Sequence, residues 1–303
     1  MKLTSVDSPK PERSILEGIE ATAAPPREVI AGNRGKDDER PSRAAEQFIV
    51  RGKHPTPLRQ PHSMLESLLT DTDRRKQILE TEKAPWRMIC SMEIVSQNNL
   101  RFVGTGWFVA PRTLITAGHC VFDKRELGGW ARTINIFPGR NGDRPVPLET
   151  TSSSSFSTTD RWLETQDPDY DYAAIHLDSD LGSQIGTFGI AVLPDDELTD
   201  RLVNVSGYPL QPGFGKEQYF HANRVKALTA RRLFYDVDTM GGQSGSPVWA
   251  YEDGSEDPIV IGIHAYGVGG TPADLNLNAN SGPRILPEVL DVIKGWIAQG
   301  NPA

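Results

Sequence analysis

The chain is poor in cysteine: its 303 residues hold two, Cys90 and Cys120. Two thiols cannot build the multi-disulfide framework that staples small secreted domains, so an apolar core must carry the fold, and free thiols are the expectation. No apolar run is long enough to cross a bilayer as a helix, which argues against a membrane partner. The opening MKLTSVDSPKPERSILEG also lacks the apolar stretch of an export signal, so the compartment stays open. Aromatics are missing from the first third: of 23 Phe, Trp and Tyr, only Phe48 lies within residues 1–85. Basic residues are scarce beyond that point, where 17 Lys and Arg face 26 Asp and Glu. An acidic body of this kind argues against nucleic acid as a partner.

These shortages divide the chain into an arm, residues 1–66, and a core-rich domain, residues 67–303. Residues 1–62 are rich in Pro, Arg and Glu, with too few apolar groups to offset the entropy of ordering, and a mostly disordered arm is expected. Met64, Leu65, Leu68 and Leu69 are spaced for one helical face. Within the domain, short β-rich runs alternate with turn signals at 88–95, 102–110, 133–137, 172–177, 202–206, 233–237, 247–250 and 259–265. Spacing of this sort suggests all-β sandwiches or barrels rather than βα units. Residues 286–297 differ, placing Leu286, Val289, Leu290, Ile293, Trp296 and Ile297 on one face of a terminal helix. The serine run 152–155 reads as a surface loop without chemistry.

Three separated segments carry candidate chemistry. Gly242-Gln243-Ser244-Gly245-Ser246-Pro247 reads alone as an ordinary turn, and the His of Thr116-Ala117-Gly118-His119-Cys120 reads alone as a core residue. Together they supply a hydroxyl, a base, and glycines that let backbone N–H groups of Gly242 and Ser244 face a developing oxyanion. Asp169-Tyr170-Asp171-Tyr172 adds an acid entering a strand. The order His, Asp, Ser is the one used by chymotrypsin-type sites.

With these motifs the chain resembles the chymotrypsin-fold serine endopeptidases, and within them the bacterial glutamyl endopeptidases. The likeness spans roughly residues 84–298 and includes Thr105-Gly106-Trp107, Pro138-Gly139-Arg140-Asn141-Gly142, Ser206-Gly207-Tyr208-Pro209 and Gly262-Ile263-His264. It implies two antiparallel six-stranded β-barrels, a C-terminal α-helix, and a catalytic crevice between the barrels. It makes Ser244 the nucleophile, His119 the general base and Asp171 its orienting partner, with Gly242 and Ser244 forming the oxyanion hole. Ser246 rivals Ser244, but the following Pro247 pushes it to extended geometry. Asp169 rivals Asp171, and the family places its acid directly before the apolar run. Animal relatives carry an Asp before the nucleophile that captures a freed N-terminal ammonium; Gln243 stands there, so that ion pair is not available.

The resemblance further assigns Thr239 and His264 to a pocket for a glutamate side chain, less so aspartate, with Ala265 and Gly267 offering backbone groups to an extended substrate. The alternative for His264 is a core histidine on a half-buried strand, against which its place in the run Gly262-Ile263-His264-Ala265-Tyr266-Gly267 favours the pocket. Asp238 falls where trypsin-like enzymes select Arg or Lys, and a free carboxylate there would repel an acidic substrate. Family members are usually secreted, and residues 66–75 look like the processed start of glutamyl endopeptidases, which makes the arm a candidate pro-segment cut near residues 62–70. Polypeptide substrates, no cofactor, no specific calcium site and a monomer are expected. The alternatives are an Arg/Lys-specific peptidase and a protease fold acting as a silent binding module.

Overall fold

The computed structural model describes residues 27–35, 69, 72–144, 148–252 and 255–300. Two β-sheets dominate. In the first, the strands run Ser155–Thr158, Ala173–His176, Thr113–Thr116, Arg101–Ala110, Ile89–Val95, Thr133–Pro138 and Thr151–Ser153 in spatial order, all antiparallel. Its two edge strands are one stretch of chain, broken only at Ser154, so seven segments make a six-stranded barrel closed by a single bent strand. The serine run read as a loop is therefore the corner that closes this barrel. Small hydroxyl residues suit such a bend, because Ser153 is buried and its Oγ bonds to the Ser155 backbone N–H (3.0 Å) and the His176 carbonyl (2.6 Å).

The second barrel uses Pro258–Ile263, Pro247–Tyr251, Leu202–Gly207, Tyr219–Leu228, Arg232–Tyr235 and Asn280–Pro283. Bridges from Gly262 to Arg284 and from Tyr266 to Ser281 join its first and last strands. Three further strands extend this sheet to nine: Gly189–Val192, which pairs in parallel with Pro258–Ile263, and two short additions from upstream. One addition, Lys76–Gln77, pairs with Tyr219 and Phe220. The other, Glu28–Ile30, comes from the arm and pairs with Gly189–Val192. This part of the arm is thus ordered by edge pairing, which needs backbone groups rather than an apolar face. Most of the remaining arm, including Met64, Leu65 and Leu68, lies outside the described residues.

Thr133–Pro138 alternates buried and half-buried residues, whereas Thr113–Thr116, Ala173–His176, Arg232–Tyr235 and Pro258–Ile263 are buried on both faces. Met92, Ile94, Phe108, Leu114, Ile134, Ile136 and Ile175 fill the first barrel, and Val203, Val205, Leu233, Tyr235, Val248 and Ile261 fill the second. A third cluster lies between the barrels and the terminal helix Pro287–Gly300, where Trp107, Phe188, Tyr208, Trp249 and Ile263 meet Val289, Leu290, Ile293 and Trp296. The helix stacks Trp296 on Tyr172, one residue from Asp171, with ring centroids 5.8 Å apart. Trp296→Ala should cost about 3–5 kcal/mol through loss of apolar burial and the cavity left behind. Urea denaturation followed by tryptophan fluorescence measures this, and a cost below about 1 kcal/mol would mean that the helix is not integral to the core.

Candidate active site

The first barrel supplies the candidate acid and the candidate base. His119 sits on the single helical turn Gly118–Val121 that follows strand Thr113–Thr116, and Asp171 lies two residues before strand Ala173–His176, which pairs with Thr113–Thr116. The adjacent strands bring the two residues together. Asp171 is fully buried; its Oδ2 lies 2.8 Å from His119 Nδ1 and its Oδ1 accepts the His119 backbone N–H at 2.9 Å. Gly118 makes this approach possible, since a Cβ there would stand 2.9 Å from Asp171 Oδ1 and 3.0 Å from the Trp162 ring. Asp169, the rival acid, instead donates its backbone N–H to Asp167.

Ser244 comes from the second barrel, on the turn before strand Pro247–Tyr251. Gly242 and Gly245 both adopt positive φ, +101° and +89°, where a side chain would be strained. A Cβ on Gly245 would also stand only 2.1 Å from the Thr105 carbonyl oxygen. The Ser244 carbonyl accepts the Thr105 N–H at 2.9 Å and receives the Cys120 thiol at 3.7 Å, which sets the serine against the turn carrying His119. Ser246, the rival hydroxyl, is buried against Gly207, where a Cβ would stand 2.1 Å from its Oγ.

Thr105 is a site residue whose role the sequence did not disclose. Its hydroxyl donates to the Gly242 carbonyl (2.9 Å) and accepts the Tyr208 N–H (3.0 Å), while its own carbonyl accepts the Thr116 hydroxyl (2.8 Å). One threonine of the first barrel thereby fixes the loop that precedes Ser244. Cys90 and Cys120 are buried free thiols. A Cβ on Gly104 would stand 3.1 Å from the Cys120 sulfur, so the glycine makes room for the thiol.

Behind Ser244, the strand ending at Ile263 delivers His264 beside the serine loop: its carbonyl accepts the Gly245 N–H at 2.7 Å and its N–H donates to Ser246 at 2.9 Å. Both His264 and Thr239 are fully buried. Two partners absent from the sequence reading hold them. The Tyr235 hydroxyl lies 2.6 Å from His264 Nδ1, and the Asn280 amide donates to Thr239 Oγ1 at 2.9 Å. Ala265 N–H donates to Ser281, and the Gly267 carbonyl accepts the Gly270 N–H.

The concern over Asp238 is removed by its surroundings. The carboxylate is buried and accepts the Leu69 N–H, the Arg74 N–H, and both Nε and Nη2 of Arg74 at 2.8–3.1 Å. Burial would raise its pKa, but Arg74 and the two backbone donors outweigh this and hold it below the usual carboxylate range. Arg74 Nη2 also reaches Asp236 Oδ1 at 2.9 Å, so Asp238 is an internal anion tied down by four donated hydrogen bonds rather than a free pocket charge. Among the described residues, no group of three or more His, Cys, Asp or Glu is placed to hold a metal ion.

Comparison with known proteins places the chain in a family. Residues 104–263 match the trypsin-like peptidase domain family. The chain is 32% identical to a glutamyl endopeptidase of Bacillus licheniformis, over 80% of its own length and 72% of that protein. It is 33% identical to a Bacillus subtilis protein named extracellular metalloprotease, over 77% of the chain and 71% of the relative. A solved Glu endopeptidase structure superposes with a TM-score of 0.65 at 24% identity, covering 76% of this chain and all of that one. The chain belongs to the trypsin-like serine peptidases, chymotrypsin-like in fold, and is related to the glutamyl endopeptidases among them. Its activity class is that of a serine endopeptidase.

The His119 environment has a measurable signature. Burial alone would push the imidazole down, but the Asp171 carboxylate, with a further contribution from the adjacent Cys120 sulfur, reverses this, and the pKa lies well above its ordinary value. The proton is held more tightly in the folded chain than in the unfolded one. The resulting stabilisation is full below the unfolded value and is lost as pH rises through the folded one. An NMR titration of the six histidines should show one midpoint well above about 6.5 that falls in Asp171→Asn. A midpoint unmoved by the substitution would mean that Asp171 does not govern the ring.

Proposed function

We propose that the chain hydrolyses peptide bonds through an acyl-enzyme on Ser244 and cuts after glutamate, less readily after aspartate. His119 takes the Ser244 proton as the hydroxyl attacks the carbonyl carbon, then gives it to the leaving amine; a water molecule repeats the sequence to release the acid. Asp171 holds the imidazole in the tautomer that presents Nε2 to Ser244 and stabilises its cationic form. The backbone N–H groups of Gly242 and Ser244 are assigned to the oxyanion. Tetrahedral charge there is worth most in a dry, preorganised site.

The single observation that carries the glutamate reading is the buried polar pair His264 and Thr239 behind the serine loop, each oriented by its own partner. Because Thr239 Oγ1 accepts from Asn280, its hydroxyl proton is directed to a further acceptor. With Nδ1 of His264 engaged by Tyr235, Nε2 is the ring nitrogen we assign to the substrate carboxylate. A buried carboxylate needs donors of this kind, since its desolvation costs several kcal/mol when unpaired. The capture of Asp238 by Arg74 supports the same reading, because an uncompensated anion would oppose it. The Ala265 carbonyl and Gly267 N–H are assigned to an extended substrate backbone. The arm is assigned as a pro-segment removed near residues 62–70. The mass of the active enzyme tests that assignment, and full activity with residues 1–60 retained would end it.

A panel of peptides that differ only at the residue before the scissile bond tests the specificity. Glutamate should exceed glutamine, lysine and arginine in kcat/KM by about 10²-fold or more, and His264→Val should erase that margin while leaving slow cleavage of uncharged peptides. Preference for lysine or arginine, or an unchanged margin in His264→Val, would overturn the pocket assignment.

A further inference from the structure

Gln243 stands immediately before Ser244, and its fully buried side chain is clasped from outside the loop. Gln243 Oε1 accepts two donors, the Met240 N–H and Arg75 Nη1, each at 3.1 Å. Arg75 enters from the segment that runs into strand Lys76–Gln77, and only 1% of its side chain is exposed. Asp73 neutralises it within the same segment, accepting Nε at 3.0 Å and Nη2 at 2.8 Å. Nη2 also donates to the Gln211 carbonyl at 2.9 Å, and the guanidinium lies 5.7 Å from the Tyr219 ring centroid. The neighbour of Gln211, Leu210, donates its N–H to the Gly241 carbonyl at 2.6 Å. One buried cation therefore grips both the residue before the nucleophile and the chain that holds Gly241.

We propose that Arg75 is a positioning residue for the oxyanion loop, an internal cation that sets residues 240–244 without a freed N-terminal ammonium. The planar fork suits the task, since its donors reach Asp73, Gln211 and Gln243 at once, which a lysine could not do in one geometry. A neutral Gln243 suits it as well. Asp73 already balances the guanidinium, so a second carboxylate beside the oxyanion loop would add negative charge where the reaction develops it. The loop is then held in its working shape by residues 73–75, and cleavage upstream of them is not what orders it. Arg74 and Arg75 divide the labour: the first binds Asp236 and Asp238 and the second holds Gln243.

This inference rests on the acyl-enzyme reading, and the test keeps the two apart. Steady-state cleavage of a glutamyl peptide is measured for the wild type, Arg75→Ala and Gln243→Met. If loop position is the role, kcat in Arg75→Ala falls about 10²-fold, the cost of misplacing a reacting group by about 1 Å. KM should change by no more than about threefold, because the pocket donors Thr239 and His264 are untouched. Millimolar guanidinium, a ligand for the vacated site, should restore at least roughly tenfold of kcat, and methylammonium should not. Gln243→Met leaves the Arg75–Asp73 pair intact and should show the same kcat loss at a nearly unchanged Tm. Wild-type kcat in Gln243→Met overturns the proposal, as does a loss in a fully stable Arg75→Ala that guanidinium leaves unaltered. Should Arg75→Ala fold poorly, Gln243→Met decides alone. A wild type inactive on every peptide would refute the function itself, whereas an active wild type with unaffected variants refutes only the role of Arg75.

Discussion

Everything in this molecule is arranged around a carboxylate withdrawn from water. Asp171 has no exposed surface, and an unpaired ion in such a place would cost several kcal/mol, so residue 119 must supply both a backbone N–H and a ring nitrogen. That requirement fixes the surroundings. Gly118 carries no side chain because there is no room for one, and Trp162 and Tyr266 flank the imidazole at centroid distances of 6.5 and 6.2 Å. The terminal helix braces the acid from behind through Trp296 and Tyr172. Packing, electrostatics and proton affinity are here consequences of one buried pair.

The second constraint is that Ser244, the proposed nucleophile, belongs to the other barrel. Hydrogen bonds from Thr105 to both Ser244 and Gly242 carry the register across the interface, and the Gly245 φ of +89° lets the chain pass close to the Thr105 carbonyl. The segment bearing Arg74 and Arg75 closes the far side of the same loop. The site is therefore held from three directions by groups that do not themselves react. Such preorganisation is what allows modest donors to act strongly on a developing charge.

The parts legible in the sequence were those written locally. The serine and histidine motifs encode their own backbone shape, so Ser244 and His119 can be named from neighbours in the chain. The strand at 133–138 and the terminal helix follow from periodicity and bury the expected faces, while the strand at 89–95 follows from its apolar run and is buried on most of both faces. The strand Tyr219–Leu228 left little trace because it is half-exposed and carries His221, Asn223, Arg224 and Lys226. Glu28–Ile30 left none, being an edge strand held by backbone pairing in a polar arm. The serine run 152–155 looked like a loop because its bend depends on hydroxyl bonds to a strand about twenty residues further along the chain. Thr105, Tyr235, Asn280, Arg74 and Arg75 could not be assigned at all from sequence. Each acts on a partner far from it in the chain, and only folding brings the two together.

The central claim is that Ser244 alone, among the hydroxyls in its loop, is activated by the buried His119–Asp171 pair. Mass spectrometry of the peptide carrying residues 244–246 after treatment with a fluorophosphonate tests it most directly. The account predicts one adduct, on Ser244, whose formation slows by orders of magnitude in His119→Ala. An adduct on Ser246, or equal labelling with and without the imidazole, would contradict it.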